Sequence, residues 1–236
     1  VLYWGWFALY PLPPQGFDYS SVGVPEDWAH LSGFAAHWDK NTNAAAAFDA
    51  WFLNLFPRPE PFVFNKGGYQ TLNFIPSLAT MLFGLMVGEL LRGKRHGLVK
   101  LAVLVVSGLA GVLLGWALDR YGICPVVKRI WTPSWVLFSG GWCFLILAAL
   151  YAVLDVAQGR TWAFPLTVIG INSIAAYCMA HLFEGFIARN LTTHLGHHAF
   201  EFLGKPYEPL LHGAAVLAVL WLLLFWMYRR RLFLRI

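Results

Sequence analysis

Charge is what this sequence has least of. Asp, Glu, Lys and Arg make up 12% of its 236 residues, about half the share of a soluble domain. A water-exposed surface for a chain of this size would need more. Cysteine is scarce as well: Cys124, Cys143 and Cys178 are scattered and form no CxxC pair, so they build neither a disulfide framework nor a zinc knuckle. No Walker A, GxSxG or GxGxxG run occurs, which removes the common signatures of soluble nucleotide binding and hydrolysis. There is no internal repeat and no low-complexity segment. What is present is apolar, with 58% hydrophobic and 17% aromatic residues, a composition that excludes disorder and collagen. The net charge of +5 does not point to nucleic acid as a partner, because the basic residues sit at the ends of apolar runs.

A helix needs about 20 mostly apolar residues to cross the hydrocarbon core of a bilayer. Five segments meet that requirement: 72–91, 98–118, 135–154, 164–187 and 210–228. None alternates as a barrel strand would. The segment 1–10 is apolar and aromatic but half the needed length, with no basic n-region or cleavage site. The expected fold is all-α, a polytopic transmembrane helix bundle with five full spans plus a partial N-terminal span. Val1 is expected to lie inside a helix whose beginning is missing, which makes 1–236 the C-terminal part of a single membrane domain. The basic stretches Arg92-Gly93-Lys94-Arg95-His96, Gln158-Gly159-Arg160 and Arg229-Arg230-Arg231 with Arg235 fall on one side, the cytoplasmic one. The loops 11–70, 119–134 and 188–209 then face outward. Lys128 and Arg129 are cationic on that outer side, in contact with lipid phosphate, with solvent or with an anionic ligand.

The long outer loop 11–70 opens with Pro11-Leu12-Pro13-Pro14, which stops the first helix. Within it, Asn43 and Pro57 bracket a short helix on which Phe48, Trp51, Phe52 and Leu55 share one face, suited to the membrane surface or to lidding the bundle. Farther on, Ser173, Tyr177, His181 and Glu184 fall within one arc of the 164–187 helix, with Asn172 beside it. This polar stripe, about 17 Å long, lines either a wet cavity or a hydrogen-bonded seam between helices. His181 is suited to proton transfer, with Glu184 to orient it. Glu89 and Arg92 are expected to pair. Asp119 and Asp155 read as caps or interfacial groups. His194 and His198, in the run His194-Leu195-Gly196-His197-His198, have i, i+4 spacing, but Gly196 and the lack of HExxH argue against a metal site. No metal is expected. Asn190-Leu191-Thr192 is a glycosylation sequon, meaningful only in a secretory pathway.

Three runs carry a family resemblance. The run 164–177, Phe164-Pro165-Leu166 through Gly170-Ile171-Asn172-Ser173-Ile174 to Tyr177, resembles the P-L-x-V-x-G-x-N-S-I-x-x-Y helix of the heparan-α-glucosaminide N-acetyltransferase-like membrane proteins. The run 67–84, opening Gly67-Gly68-Tyr69-Gln70-Thr71, resembles that family's glycine-led helix after the long outer loop. The run 125–137, with Pro125, Lys128, Trp131-Thr132 and Ser134, resembles its P-x-x-K-x-x-W-T-x-S-x-V-L turn. Their order and spacing match across nearly the whole chain. Bacterial relatives in this family are labelled predicted acyltransferases.

The resemblance implies a multi-span enzyme that moves an acetyl group from acetyl-CoA to an amino sugar or glycan across the membrane. It places the family's catalytic His on an outer loop upstream of Val1, so no His of this chain inherits that role. It also keeps an amino-sugar transporter or a non-catalytic subunit open as alternatives. Acetyl transfer to an amine needs a base and oxyanion donors. Asn172, Ser173 and Tyr177 are candidate donors. Lys128, Arg129 and Trp131 are candidates for contact with CoA phosphate or substrate, with Arg92, Lys94 and Arg95 as the inner-side set. Trp28, Trp38 and Trp51 are candidates either to stack on a sugar or to anchor at the interface, with anchoring the preferred reading for Trp51. The expected setting is the bacterial inner membrane, in contact with lipid and without nucleic acid, the C-terminus cytoplasmic and homo-oligomerisation open.

Overall fold

The structure is a computed structural model that describes residues 1–196 and 198–234; His197 and Arg235 lie outside the described residues. The chain divides into two units, Val1–Ala157 and Gln158–Ile236. The described residues contain helices, short 3-10 turns and loops, with no strand.

The first unit holds five α-helices: α1 (Leu2–Leu9), α2 (Ala44–Phe52), α3 (Phe74–Arg92), α4 (Gly97–Arg120) and α5 (Pro133–Tyr151). Helix α5 starts where the sequence tells it to. Thr132 caps it, its Oγ1 accepting from Trp135 N at 3.3 Å, and Pro133 takes the first turn, where no backbone N–H is needed. Helix α4 starts at the basic loop, with His96 Nδ1 accepting from Leu98 N at 3.3 Å.

Helices α4 and α5 form the closest pair, and glycines are the reason. Gly108, Gly111 and Gly115 of α4 lie against Gly141, Leu137, Phe138 and Ser134 of α5. A Cβ at Gly141 would sit 2.5 Å from Val112 N and 2.7 Å from Gly108 O. A Cβ at Gly115 would sit 2.8 Å from Ser134 O. The two backbones touch because no side chain stands between them, the device membrane helices use where lipid supplies no hydrophobic drive to associate.

At one end of this unit lies an aromatic core that the apolar spans alone do not suggest. Phe7, Trp38, Ala44, Ala45, Leu72, Cys124 and Ile130 are buried together, drawn from α1, the loop 11–70, the 3-10 turn Thr71–Asn73 before α3 and the α4–α5 connection. The Phe7 and Trp38 rings stack with centroids 6.3 Å apart and nearly parallel planes. Trp4 Nε1 donates to Ile123 O at 2.8 Å and Tyr3 Oη to Ile130 O at 3.2 Å, fixing α1 to the same connection. Helix α2 ends at Phe52 and runs into a 3-10 turn over Leu53–Leu55, earlier than the Pro57 stop. Trp51 is exposed, while Phe48 and Phe52 stack on each other at 5.3 Å.

The second unit holds α6 (Phe164–Ile171), α7 (Ser173–Leu195) and α8 (Glu208–Arg229). The expected single span 164–187 is broken. Helices α6 and α7 meet at Asn172 with a bend of 72°. Asn172 is fully buried, its Nδ2 donates to Leu232 O at 2.9 Å, and its Oδ1 accepts from Leu234 N at 3.1 Å. A side chain that binds a segment 60 residues away holds the break open.

Four helices of the described chain are long and apolar enough to span a membrane, and the α6–α7 pair makes a fifth if counted as one span. Between 11% and 22% of the residues in the four apolar windows are buried within the protein. Surfaces this apolar are stable only against lipid, which makes the chain an integral membrane protein.

Candidate functional site

The polar chemistry of the first unit gathers along Trp38-Asp39-Lys40-Asn41-Thr42-Asn43. Asn43 is fully buried and works twice. Its Oδ1 caps α2 by accepting from Ala45 N and Ala46 N at 3.0 and 3.1 Å, and its Nδ2 donates to Asp39 O at 2.8 Å. This pins the strip to the start of α2 and fixes the Asp39 side chain beside it. Asp49, on α2 and also buried, accepts from Thr71 N at 2.9 Å and ties the helix to the glycine-led segment before α3.

Asp39 is buried and accepts three hydrogen bonds. Lys40 N donates at 2.8 Å, Trp28 Nε1 at 3.3 Å, and His30 Nδ1 lies 2.6 Å from its Oδ2. His30 is 37% exposed while Asp39 is 6% exposed. A carboxylate on Nδ1 fixes the tautomer and leaves Nε2 as an acceptor toward solvent. The Tyr19 ring packs on the imidazole, centroids 4.2 Å apart.

Next to this pair, the Trp28 indole carries two cations. Lys40 Nζ lies 4.7 Å from the ring centroid and Arg129 Cζ 4.9 Å. Gly68, at φ +71, leaves room beneath them; a Cβ there would sit 3.2 Å from Lys40 Cγ and 3.5 Å from Arg129 Cδ. Trp28, Trp38, Asp39, Lys40, Gly68 and Arg129 line a cavity of about 130 Å³. Trp38 Nε1 is buried and has no partner. The cavity is well below the ~300 Å³ of the smallest usual ligand sites, so it takes one small group rather than a whole nucleotide cofactor.

Arg129 is held by a rigid turn. Thr132 Oγ1 donates to Pro125 O at 2.8 Å and accepts from Val127 N at 3.0 Å, and Ser134 Oγ donates to the same carbonyl at 2.6 Å. Asn73 Nδ2 donates to Arg129 O at 2.6 Å. Trp131, in the left-handed region at φ 50, donates from Nε1 to Thr80 Oγ1 at 3.1 Å. Asp119 Oδ1 accepts from Val126 N at 2.9 Å and anchors the turn from its other side. Cys124 sits beneath it; burial pushes its thiol pKa up, against a smaller downward pull from the Ser134 hydroxyl.

The candidates named from the sequence are therefore dispersed. Arg129 reaches the Trp28 cluster, Lys128 is exposed beside it, and Trp131 is directed to Thr80. Ser173, Tyr177, His181 and Glu184 share an exposed face of α7, where the Tyr177 and His181 rings pack at 4.2 Å and His181 Nδ1 contacts Tyr177 O at 3.0 Å. Asn172 does not join them, since both ends of its amide are bonded to the C-terminal segment. Among the described residues Glu89 makes no ion pair with Arg92 and instead lines a groove of about 510 Å³ with Arg95. Helix α7 ends at Leu195 and Gly196 turns to φ 93, so His194 and His198 lose their helical spacing, and His198 pairs with Glu201 at 3.0 Å. No group of three metal-ligating side chains occurs among the described residues. Sequence reasoning missed His30 and Asp39, which stand nine residues apart in an irregular loop with no periodic or motif signal.

Fold and site together define a polytopic helical membrane protein with a polar cluster in its long loop. No family model matches the chain. It is similar to the heparan-alpha-glucosaminide N-acetyltransferase of Homo sapiens, 31% identical over 120 residues that make up 49% of this chain and 18% of the human protein. It is also similar to the Mus musculus protein of the same name, 31% identical over 81 residues, 34% of this chain and 12% of the mouse protein. The matched stretch spans less than a fifth of either relative's length, and the relationship is a distant one.

Proposed function

We propose that the full-length protein is a membrane-embedded acyltransferase that moves an acetyl group from acetyl-CoA to an amino sugar. The observation that carries this reading is the similarity to heparan-alpha-glucosaminide N-acetyltransferase. The loop cluster supports it chemically. Acetyl-CoA, as substrate, would supply an activated thioester carbonyl. The family resemblance puts its catalytic His upstream of Val1; within this chain, His30, with Nδ1 on Asp39 and Nε2 free, has the geometry of a second group that accepts the amine proton. Lys40 and Arg129 suit an anionic group at the mouth of the small cavity. The exposed stripe Ser173, Tyr177, His181 and Glu184 would face a cavity shared with neighbouring helices. The basic stretches 92–96 and 229–231 favour a cytoplasmic C-terminus.

The test is release of free CoA thiol by the purified full-length protein given acetyl-CoA and glucosamine. His30→Gln should lower kcat by about 10²-fold or more with a small change in KM. Asp39→Asn should lower it less, because the imidazole is retained. An inactive wild-type protein would remove the acyltransferase reading. An active protein with an unaffected His30→Gln variant would remove only the role of His30.

A further inference from the structure

At the end of α3 away from the loop cluster, α3, α4 and α5 part around a groove of about 510 Å³. Its depth is apolar. Leu104 of α4, 1% exposed, lines its floor. The rings of Phe83 on α3 and Phe144 on α5 meet edge to face at 6.1 Å and close its inner end. Along α3 the wall runs from Phe83 to Gly93, a rise of about 15 Å. That is half of the ~30 Å hydrocarbon core, the depth of one leaflet.

The other end of the groove carries charges of opposite sign. Glu89, in the last turn of α3, and Arg95, in the connection to α4, both line it. Gly93, the lining residue between them in sequence, has no side chain to separate them. Among the described residues neither charge has an ion-pair partner. The neighbouring cation Lys100 is engaged, its Nζ donating to Leu91 O at 2.7 Å at the end of α3. Arg92 and Lys94 are exposed and do not line the groove. A carboxylate one turn inside the end of a membrane helix is costly to leave without a counter-charge.

This pattern selects among the molecules that a membrane offers. A lipid with an anionic headgroup alone meets Arg95 and brings its charge beside Glu89 with nothing for that carboxylate. A choline headgroup brings a cation that has no N–H to donate. A primary ammonium next to a phosphodiester supplies both charges, and the ammonium carries three donors for a carboxylate. An acyl chain attached to that headgroup matches the apolar length behind it.

We propose that this groove holds one phosphatidylethanolamine molecule, in the leaflet on the side of the 92–96 loop. Its ammonium sits on Glu89, its phosphate on Arg95, and one acyl chain runs past Leu90 and Val103 to the Phe83–Phe144 closure. The site is separate from the His30–Asp39 cluster and stands whether or not the acetyl-transfer reading does.

The experiment is native mass spectrometry of the full-length protein, titrated in detergent with phosphatidylethanolamine, phosphatidylcholine and phosphatidylglycerol of matched acyl chains. The wild type should bind one phosphatidylethanolamine about tenfold more tightly than either other lipid, the worth of one charge-assisted hydrogen bond. Glu89→Gln should remove most of that preference and leave phosphatidylcholine binding unchanged. Arg95→Gln should weaken phosphatidylethanolamine and phosphatidylcholine by a similar factor, about threefold to tenfold, because both carry the phosphate. Ser107→Trp, which fills the groove from an exposed position on α4, should abolish the tight site. Soluble phosphoethanolamine at the same concentration should not displace the lipid, because it has no acyl chain. Equal affinity for the three lipids would overturn the proposal. So would an undiminished preference in Glu89→Gln, undiminished binding in Arg95→Gln or Ser107→Trp, or displacement by phosphoethanolamine.

Discussion

Gly141→Ala adds one methyl group at the tightest point of the α4–α5 seam. The new Cβ would lie 2.5 Å from Val112 N, 2.7 Å from Gly108 O and 2.9 Å from Gly111 C. All three are backbone atoms, so no rotamer change relieves the contact. The helices must part by roughly 1 Å, which forfeits a quarter to a half of the dispersion well along the seam. Overpacking of this kind costs about 1–3 kcal/mol, and rigid backbone on the opposing side puts it at the upper end. Alanine's better helix propensity returns up to about 1 kcal/mol. The net loss is about 2 kcal/mol, a fall of about 4–8 °C in melting temperature for a chain of this length. The control is Gly88→Ala on α3, where nothing lies within 4 Å of an added Cβ; it should be neutral or slightly stabilising. Both variants are read by thermal unfolding in one detergent. A Gly141→Ala protein that melts at or above Gly88→Ala would refute the argument that backbone contact holds this pair.

Two other perturbations follow from buried groups. Asn172→Ala should cost about 1–3 kcal/mol and expose the Leu234 amide, so hydrogen exchange at Leu234 should quicken; unchanged protection there would show that the amide of Asn172 does not hold the tail. Cys124 is 1% exposed and its thiol pKa is pushed up by burial, so maleimide at pH 7–8 should modify it only after denaturation. The neutral buried thiol keeps its contribution to stability below the ordinary cysteine pKa and loses it as pH rises toward the higher folded value; native-state labelling as fast as in denaturant would contradict that burial.

The helices were legible because their signals are local and periodic. The spans around Leu104, Val136 and Leu220 announce themselves by apolar length, and Asn43 does so as a cap. Asn172 was not legible. Neither Pro nor Gly occupies the position, and its helical wheel looks continuous; the break is held by Leu232 and Leu234, which no local window includes. The glycines of the seam are visible in sequence at 108, 111 and 115, yet nothing in their spacing says that Gly141 is what they meet. The site was the least legible part. His30, Asp39, Lys40 and Arg129 come together through an irregular loop whose geometry is set by Asn43 and by the Pro125–Ser134 turn, so no repeat relates them. Lys128, Arg129 and Trp131 read alike as one basic-aromatic cluster, and only the left-handed backbone of Trp131 and the Asn73 bond separate their directions.

The aromatic core that joins Phe7, Trp38 and Ala45 to Cys124 and Ile130 sets a schedule for biogenesis. The loop 11–70 can pack on α1 as it emerges, through Phe7 on Trp38 and Trp6 on Phe48, but the core cannot close until Cys124 and Ile130 of the connection after α4 have been synthesised, about 60 residues later. At roughly 5–20 residues per second, that wait is on the order of 3–12 s. Throughout it, Trp28 lacks Arg129 and Trp38 lacks Ile130, a long interval for an indole-rich segment in water. The bilayer surface is the nearest apolar refuge, so slowing synthesis between α3 and α4 should make the nascent chain aggregate or be degraded more than slowing it after α5.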